Sequence, residues 1–191
     1  MGRFLGITGT PGTGKKTLAP LVADILGLPC VGLNDLAPHP GSNLETVAVD
    51  TDALHRRLVS SVDGRCVVHG HLLSDVLRRS EVERVAVLRC DPRELKGRLL
   101  SRGYKAAKVR ANVEAELIGL VSSLCFHKFG EARVIEFNAT SGGVSKSADA
   151  VAKLFITPYR ATRRIDWLEG YGSASKLRSL LSVARTESAF T

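Results

Sequence analysis

The stretch Phe4-Leu5-Gly6-Ile7, followed by Gly9-Thr10-Pro11-Gly12-Thr13-Gly14-Lys15-Lys16-Thr17, decides the fold. An apolar run leads directly into a loop with glycines at 9, 12 and 14. Glycine allows backbone angles closed to other residues, so successive N–H groups can turn inward around an anion. Lys15 adds a mobile positive charge able to reach the β- and γ-phosphates of a nucleotide. Beyond it, Leu18, Leu21, Val22 and Ile25 recur at helical spacing, so the loop opens a helix whose N-terminus carries partial positive charge toward the phosphates. Strand, glycine loop, lysine and helix in this order make a phosphate-binding loop, with Gly12, Thr13, Gly14, Lys15, Lys16 and Thr17 as candidate nucleotide-binding residues. The common form of the loop places a hydroxyl directly after the lysine to meet magnesium. Here Lys16 holds that place and the hydroxyl comes at Thr17, about 100° further round a helix.

Strand-like and helix-like segments alternate outward from the loop. Pro29–Leu33 is a short apolar run, residues 34 to 46 are irregular, and order resumes at Val47-Ala48-Val49. Asp50 is placed to cap a helix carrying Leu54, Leu58 and Val62. Cys66-Val67-Val68 and Val85-Ala86-Val87-Leu88 are buried-type strands, ending in His69-Gly70-His71 and Arg89-Cys90-Asp91. Asp91-Pro92 starts a helix well, and a long helix is expected over about 108 to 128, from Val109, Val113, Leu117, Leu120, Val121 and Leu124. Arg133–Phe137 is the fifth strand, and Val144–Phe155 a closing helix. Continuous apolar strands alternating with helices predict an α/β fold, a five-stranded parallel sheet with helices on both faces. Ligands of such sheets bind beyond the carboxyl ends of the strands, where the phosphate loop, His69–His71 and Arg89–Asp91 all fall. Residues 1–156 are expected to form the main domain. Residues 157–191, with several arginines and the lone Trp167, form a basic extension with a helical stretch around Ala174–Val183.

A chain of 191 residues is long enough for one domain with a sizeable core. No run approaches the roughly 20 apolar residues of a membrane span, and with the first strand so early no signal peptide is expected. Cysteines 30, 66, 90 and 125 form no CxxC pair and no zinc pattern, and a cytoplasmic location is expected. The net charge of +8 favours phosphate-rich partners. Aromatic residues are too few for a base-stacking platform.

The loop Gly9-Thr10-Pro11-Gly12-Thr13-Gly14-Lys15 resembles that of nucleoside monophosphate kinases of the adenylate kinase type. Further segments resemble the archaeal and eukaryotic adenylate kinase 6 group, which are ribosome-assembly ATPases with a P-loop kinase fold. They are Val49–Leu54, Val67–Leu72, Leu88–Pro92, Arg102-Gly103-Tyr104 with Lys108, Asn112 and Glu116, and the late Arg164–Trp167. The resemblance implies transfer of phosphate from ATP to AMP with Mg²⁺, some ATP hydrolysis, and a role in maturing the small ribosomal subunit. That role implies small-subunit rRNA and a ribosomal protein of the S11/S14 type as partners. It implies a monophosphate-binding insert at about 33–54, a lid at about 101–111, magnesium on Thr17 and a water-positioning role for His71. The chain departs from the group where relatives carry Asp or Glu at the end of the third strand: here stands His69, a poor ligand for hard Mg²⁺. Residue 111 is Ala where relatives carry an acid. Asp50, Asp52 and Asp91 are the candidates for the missing charge.

Phosphoryl transfer asks for alignment, charge neutralisation and exclusion of water. Lys15 and the loop amides would take the donor phosphates, and Arg102, at the start of the lid, the charge of the transferring group. Arg98 lies one helical turn earlier and could pair with it. The catalytic candidates are thus Lys15, Arg102 and His71. Two functions stand open: an adenylate kinase, or an ATP-gated assembly factor with slow or no AMP phosphorylation.

Overall fold

The computed structural model describes residues 2–37, 49–158 and 164–182. Five strands, β1 (Phe4–Thr8), β2 (Cys30–Gly32), β3 (Cys66–His69), β4 (Val82–Arg89) and β5 (Val134–Asn138), form one sheet in the order β2-β3-β1-β4-β5. Every pairing is parallel. The helices are α1 (Lys15–Leu26), α2 (Thr51–Ser61), α3 (Leu73–Val76), α4 (Pro92–Ser101), α5 (Ala106–Leu117), α6 (Leu120–Phe129), α7 (Val144–Ile156), α8 (Trp167–Gly170) and α9 (Ala174–Leu181).

Alternation along the strands divides the core. Phe4, Cys66, Val68, Val85 and Val87 face one side, against Leu54 and Leu58 of α2, Leu73 of α3 and Phe129 of α6. Leu5, Ile7, Val67, Ala86 and Leu88 face the other, against Leu18 and Val22 of α1 and Val151 and Phe155 of α7. A third cluster joins Leu95 and Leu99 of α4 and Val109 and Val113 of α5 to Tyr171 and Leu180. The C-terminal stretch 164–182 therefore packs on α4 and α5.

The capping expectations hold: the Ala53 amide donates to Asp50 at 2.8 Å, and the Arg93 amide to Asp91 at 2.8 Å, with Pro92 opening α4. Three details differ from the sequence reading. The single helix expected over 108 to 128 is broken into α5 and α6 at Gly119, whose φ is +65°. Glycine takes that left-handed conformation without strain, and at the break the Glu116 carbonyl accepts from Arg89 at 2.8 Å. Strand β4 begins at Val82, ahead of its apolar run, because its backbone pairs with β1 from Val82 opposite Phe4, while Glu83 pairs with Arg65 and Arg84 donates to the Leu154 carbonyl. Helix α3 is a single turn, too short to show a period.

Candidate functional site

The phosphate loop sits beyond the carboxyl end of the central strand. Gly9 has φ +145°, and a Cβ on it would lie 2.4 Å from the Leu88 carbonyl oxygen, so only glycine lets the loop leave β1 this close to β4. Gly14, at φ +100°, caps α1 in a left-handed conformation. Inside the loop the Thr13 hydroxyl donates to the Thr10 carbonyl at 2.9 Å. The Lys15 ammonium donates to the carbonyls of Gly9 at 2.6 Å and Thr10 at 2.9 Å.

Two hollows meet over this loop. The first, about 190 Å³, brings Lys15, Lys16 and Thr17 together with Asn34, Asp35, His69, His71, Arg102 and Tyr104. The second, about 340 Å³, lies between the loop, Arg98 and the turn joining β5 to α7, with Leu18, Leu88, Ala139 and Val144 as apolar wall. Gly12, Gly14, Thr17 and Arg102 border both. Arg102 stands in the turn between α4 and α5, and residues 101–111, where a lid is expected, form the end of α4, this turn and the first part of α5.

The candidates read from the sequence fall as follows. Gly12, Gly14, Lys15, Lys16, Thr17, His71 and Arg102 line the first hollow, and Thr13, itself buried, lines the second. Arg98 borders only the second, where it donates to the Thr140 carbonyl at 3.0 Å and pairs with Glu94. Asp50, Asp52 and Asp91 line neither hollow. Asp50 and Asp91 cap helices, and Asp91 also accepts from the Tyr171 hydroxyl at 2.8 Å. Residues 38–48 of the insert expected at 33–54, including His39, lie outside the described residues.

The carboxylate that does line the first hollow is Asp35, in the helical turn Leu33–Leu36 after β2. A Cβ on Gly32 would lie 2.3 Å from an Asp35 carboxylate oxygen and 3.1 Å from Cε1 of His69. The bare glycine thus lets carboxylate and imidazole approach over the end of β2. Burial pushes the His69 pKa below its ordinary value; the Asp35 carboxylate opposes this, and Lys15 and Lys16 add to it. His69 is therefore a neutral ring at neutral pH. Asp35 was missed in the sequence because it falls in a stretch without periodicity, and only the fold carries it to β3.

Behind the loop lies a buried ionic cluster that no sequence pattern announces. Arg89, at the end of β4, pairs with Glu116 of α5 and Glu136 of β5, all nearly inaccessible to solvent. The Thr10 hydroxyl of the phosphate loop donates to Glu116 at 2.6 Å.

Among the described residues no group of three or more His, Cys, Asp or Glu side chains could hold a metal. No helix among them is long and apolar enough to cross a membrane.

Residues 5–119 match the family model described as an AAA domain. Over 174 residues the chain is 35% identical to a Pyrococcus abyssi protein named "Putative adenylate kinase", covering 88% of this chain and 93% of that one. A Thermococcus onnurineus protein of the same name is 31% identical over 177 residues, with 88% and 93% covered. Among solved structures, shikimate kinase from Bacteroides thetaiotaomicron shares the fold at a TM-score of 0.53 and 17% identity, covering 79% of this chain and 97% of that one. A phosphate loop after the first strand of a five-stranded parallel sheet, an AAA-domain match over more than half its length and relatives of this identity all agree: the chain belongs to the AAA-domain family, in the branch that holds these archaeal proteins.

Proposed function

We propose that this protein transfers the γ-phosphoryl group of ATP to AMP, giving two molecules of ADP. The observation that carries the reading is the meeting of two hollows at Gly12, Gly14, Thr17 and Arg102. A donor and an acceptor nucleotide placed in them face each other across the phosphate loop, and each alone would leave one hollow empty. The second hollow, with its apolar wall, suits the donor's base. The first, with Lys15, Lys16 and Arg102, suits the phosphates between which the group passes. The names of the archaeal relatives support the same activity.

In this reading Lys15 exchanges its loop carbonyls for the donor's phosphate oxygens, and the loop amides hold the same oxygens. Arg102 borders both ligands and neutralises charge on the group in flight. The acceptor phosphate is already an anion, so no base is required, and His71 orders water and phosphate at the edge of the hollow. The oxygen donors Thr17 and Asp35 fit a magnesium ion that keeps water and phosphate as its other ligands. When bound, that ion neutralises phosphate charge.

A second reading keeps ATP hydrolysis and makes the protein an ATP-gated factor in small-subunit maturation, acting on a ribosomal protein and rRNA. The net charge of +8 and His69 in place of an acid favour it. One assay tests both: ADP formed from ATP with AMP, and phosphate released from ATP alone, for wild type and Lys15→Ala. AMP-dependent ADP formation that falls by about 10²–10³-fold in the variant supports the kinase. Phosphate release indifferent to AMP supports the second reading, and ATP bound without any turnover defeats both.

A further inference from the structure

The C-terminal stretch around Trp167 lies far in sequence from the phosphate loop, yet one side chain joins them. Oε1 of Glu116 accepts from the Trp167 indole N–H at 3.1 Å, from Nε of Arg89 at 2.8 Å and from the Cys90 amide at 3.0 Å. Oε2 of the same carboxylate accepts from the Thr10 hydroxyl at 2.6 Å. Glu116 is 1% exposed, so no water screens or replaces these bonds. A carboxylate is one rigid planar group, and turning one oxygen turns the other.

The surrounding charges make the tail's contribution costly to lose. The cluster sets one cation, Arg89, against two carboxylates, Glu116 and Glu136. Neutral donors make up the deficit: the Thr10 hydroxyl, the Cys90 amide, and, from the tail, the Ile165 amide to Glu136 and the Trp167 indole to Glu116. The Ile165 carbonyl also accepts from Arg89 at 3.1 Å. On the loop side, the Thr10 carbonyl accepts from both the Thr13 hydroxyl and the Lys15 ammonium. The connection therefore runs Trp167, Glu116, Thr10, Lys15 without a gap.

We infer that Glu116 and Trp167 are positioning residues for the phosphate loop: the docked tail holds Thr10, and with it Lys15, in the geometry that receives phosphates. The inference rests on the reading that this loop binds ATP. By linkage the coupling runs both ways: ATP binding tightens the tail, and whatever lifts the tail from α5 weakens ATP binding.

Trp167 is the single tryptophan of the chain, so its fluorescence reports the tail directly. ATP binding is measured by calorimetry and by Trp167 fluorescence on the full chain. The expected result is a saturable fluorescence change whose midpoint matches the calorimetric one. Thr10→Val should abolish that change, and Thr10→Ser, which keeps the hydroxyl, should restore it. Trp167→Phe keeps an aromatic ring but no donor, and should weaken ATP binding by about 5–10-fold, at the low end of typical coupling. In a double-mutant cycle with Thr10→Val, the two losses should fail to add. Unchanged fluorescence on saturating ATP overturns the inference, as do additive losses or a Trp167→Phe protein that melts earlier but binds ATP as the wild type does. Wild type that binds no ATP overturns the functional reading as well, so the two failures are told apart.

Discussion

Arg89→Met removes the cation from a site that holds two carboxylates and replaces it with an apolar chain of similar reach. Arg89, Glu116 and Glu136 are 2%, 1% and 8% exposed, so neither carboxylate can recover its hydration in the variant. Removing one partner of such a buried pair costs about 3–5 kcal/mol, because the charge left behind is uncompensated. For a domain of 150–250 residues each kcal/mol moves the melting temperature by about 2–4 °C, which places the variant about 6–20 °C below wild type. Urea titration followed by circular dichroism, with thermal melts beside it at pH 7.5, gives both quantities. The argument is about charge, so a companion variant carries Arg89→Met with Glu116→Gln and Glu136→Gln. It buries no net charge and should recover part of the loss. A single variant within about 1 kcal/mol of wild type, below the range for buried pairs, would refute the reasoning. So would a triple variant no more stable than the single one.

Other consequences can be checked more briefly. Gly12→Ala puts a Cβ 2.7 Å from Leu95 Cδ1 at φ +97°; it should cost about 1–3 kcal/mol by overpacking and should fail to bind ATP in calorimetry. Asp35→Asn should raise the magnesium concentration needed for half-maximal ADP formation, while ATP binding without the metal stays as in wild type. Burial holds the His69 pKa below its ordinary value of 6.5, so as pH falls through that value the unfolded chain takes up a proton before the folded one. The stabilisation from the neutral ring is complete above pH 6.5 and is lost below it. His69→Asn should flatten that part of the stability curve, and parallel curves from pH 7 to 5 would contradict the assignment. Burial pushes the thiols of Cys66 and Cys90 up to about 11 and that of Cys125 up to about 12. A thiol reagent at pH 8 should leave these three unlabelled until the chain is unfolded.

Much of the fold was legible because its signals are local. The apolar runs at Phe4–Ile7, Cys66–Val68 and Val85–Leu88, and the caps at Asp50 and Asp91, each depend on a few neighbouring residues. The phosphate loop was readable for the same reason, since Gly9, Gly12, Gly14 and Lys15 act within one turn of chain. Asp35 and the cluster of Arg89, Glu116 and Glu136 were not, because their meaning comes from segments brought together by the parallel topology. The break at Gly119 belongs with them. The apolar spacing of α5 and α6 is continuous in the sequence, and the break shows only in the fold, where Arg89 packs beside Gly119 and donates to the Glu116 carbonyl.

The Lys15 ammonium bonded to the Gly9 and Thr10 carbonyls ties the start of α1 back onto the loop that precedes it. Two carbonyl oxygens that would otherwise repel a phosphate are engaged there by a positive charge. In the proposed reaction, capture is a replacement: a phosphate oxygen takes Lys15 over from the Gly9 and Thr10 carbonyls. The net enthalpy of capture is smaller than the gross count of phosphate contacts implies. In the same reaction, the Lys15 bonds to Gly9 and Thr10 offset part of the cost of letting the nucleotide go.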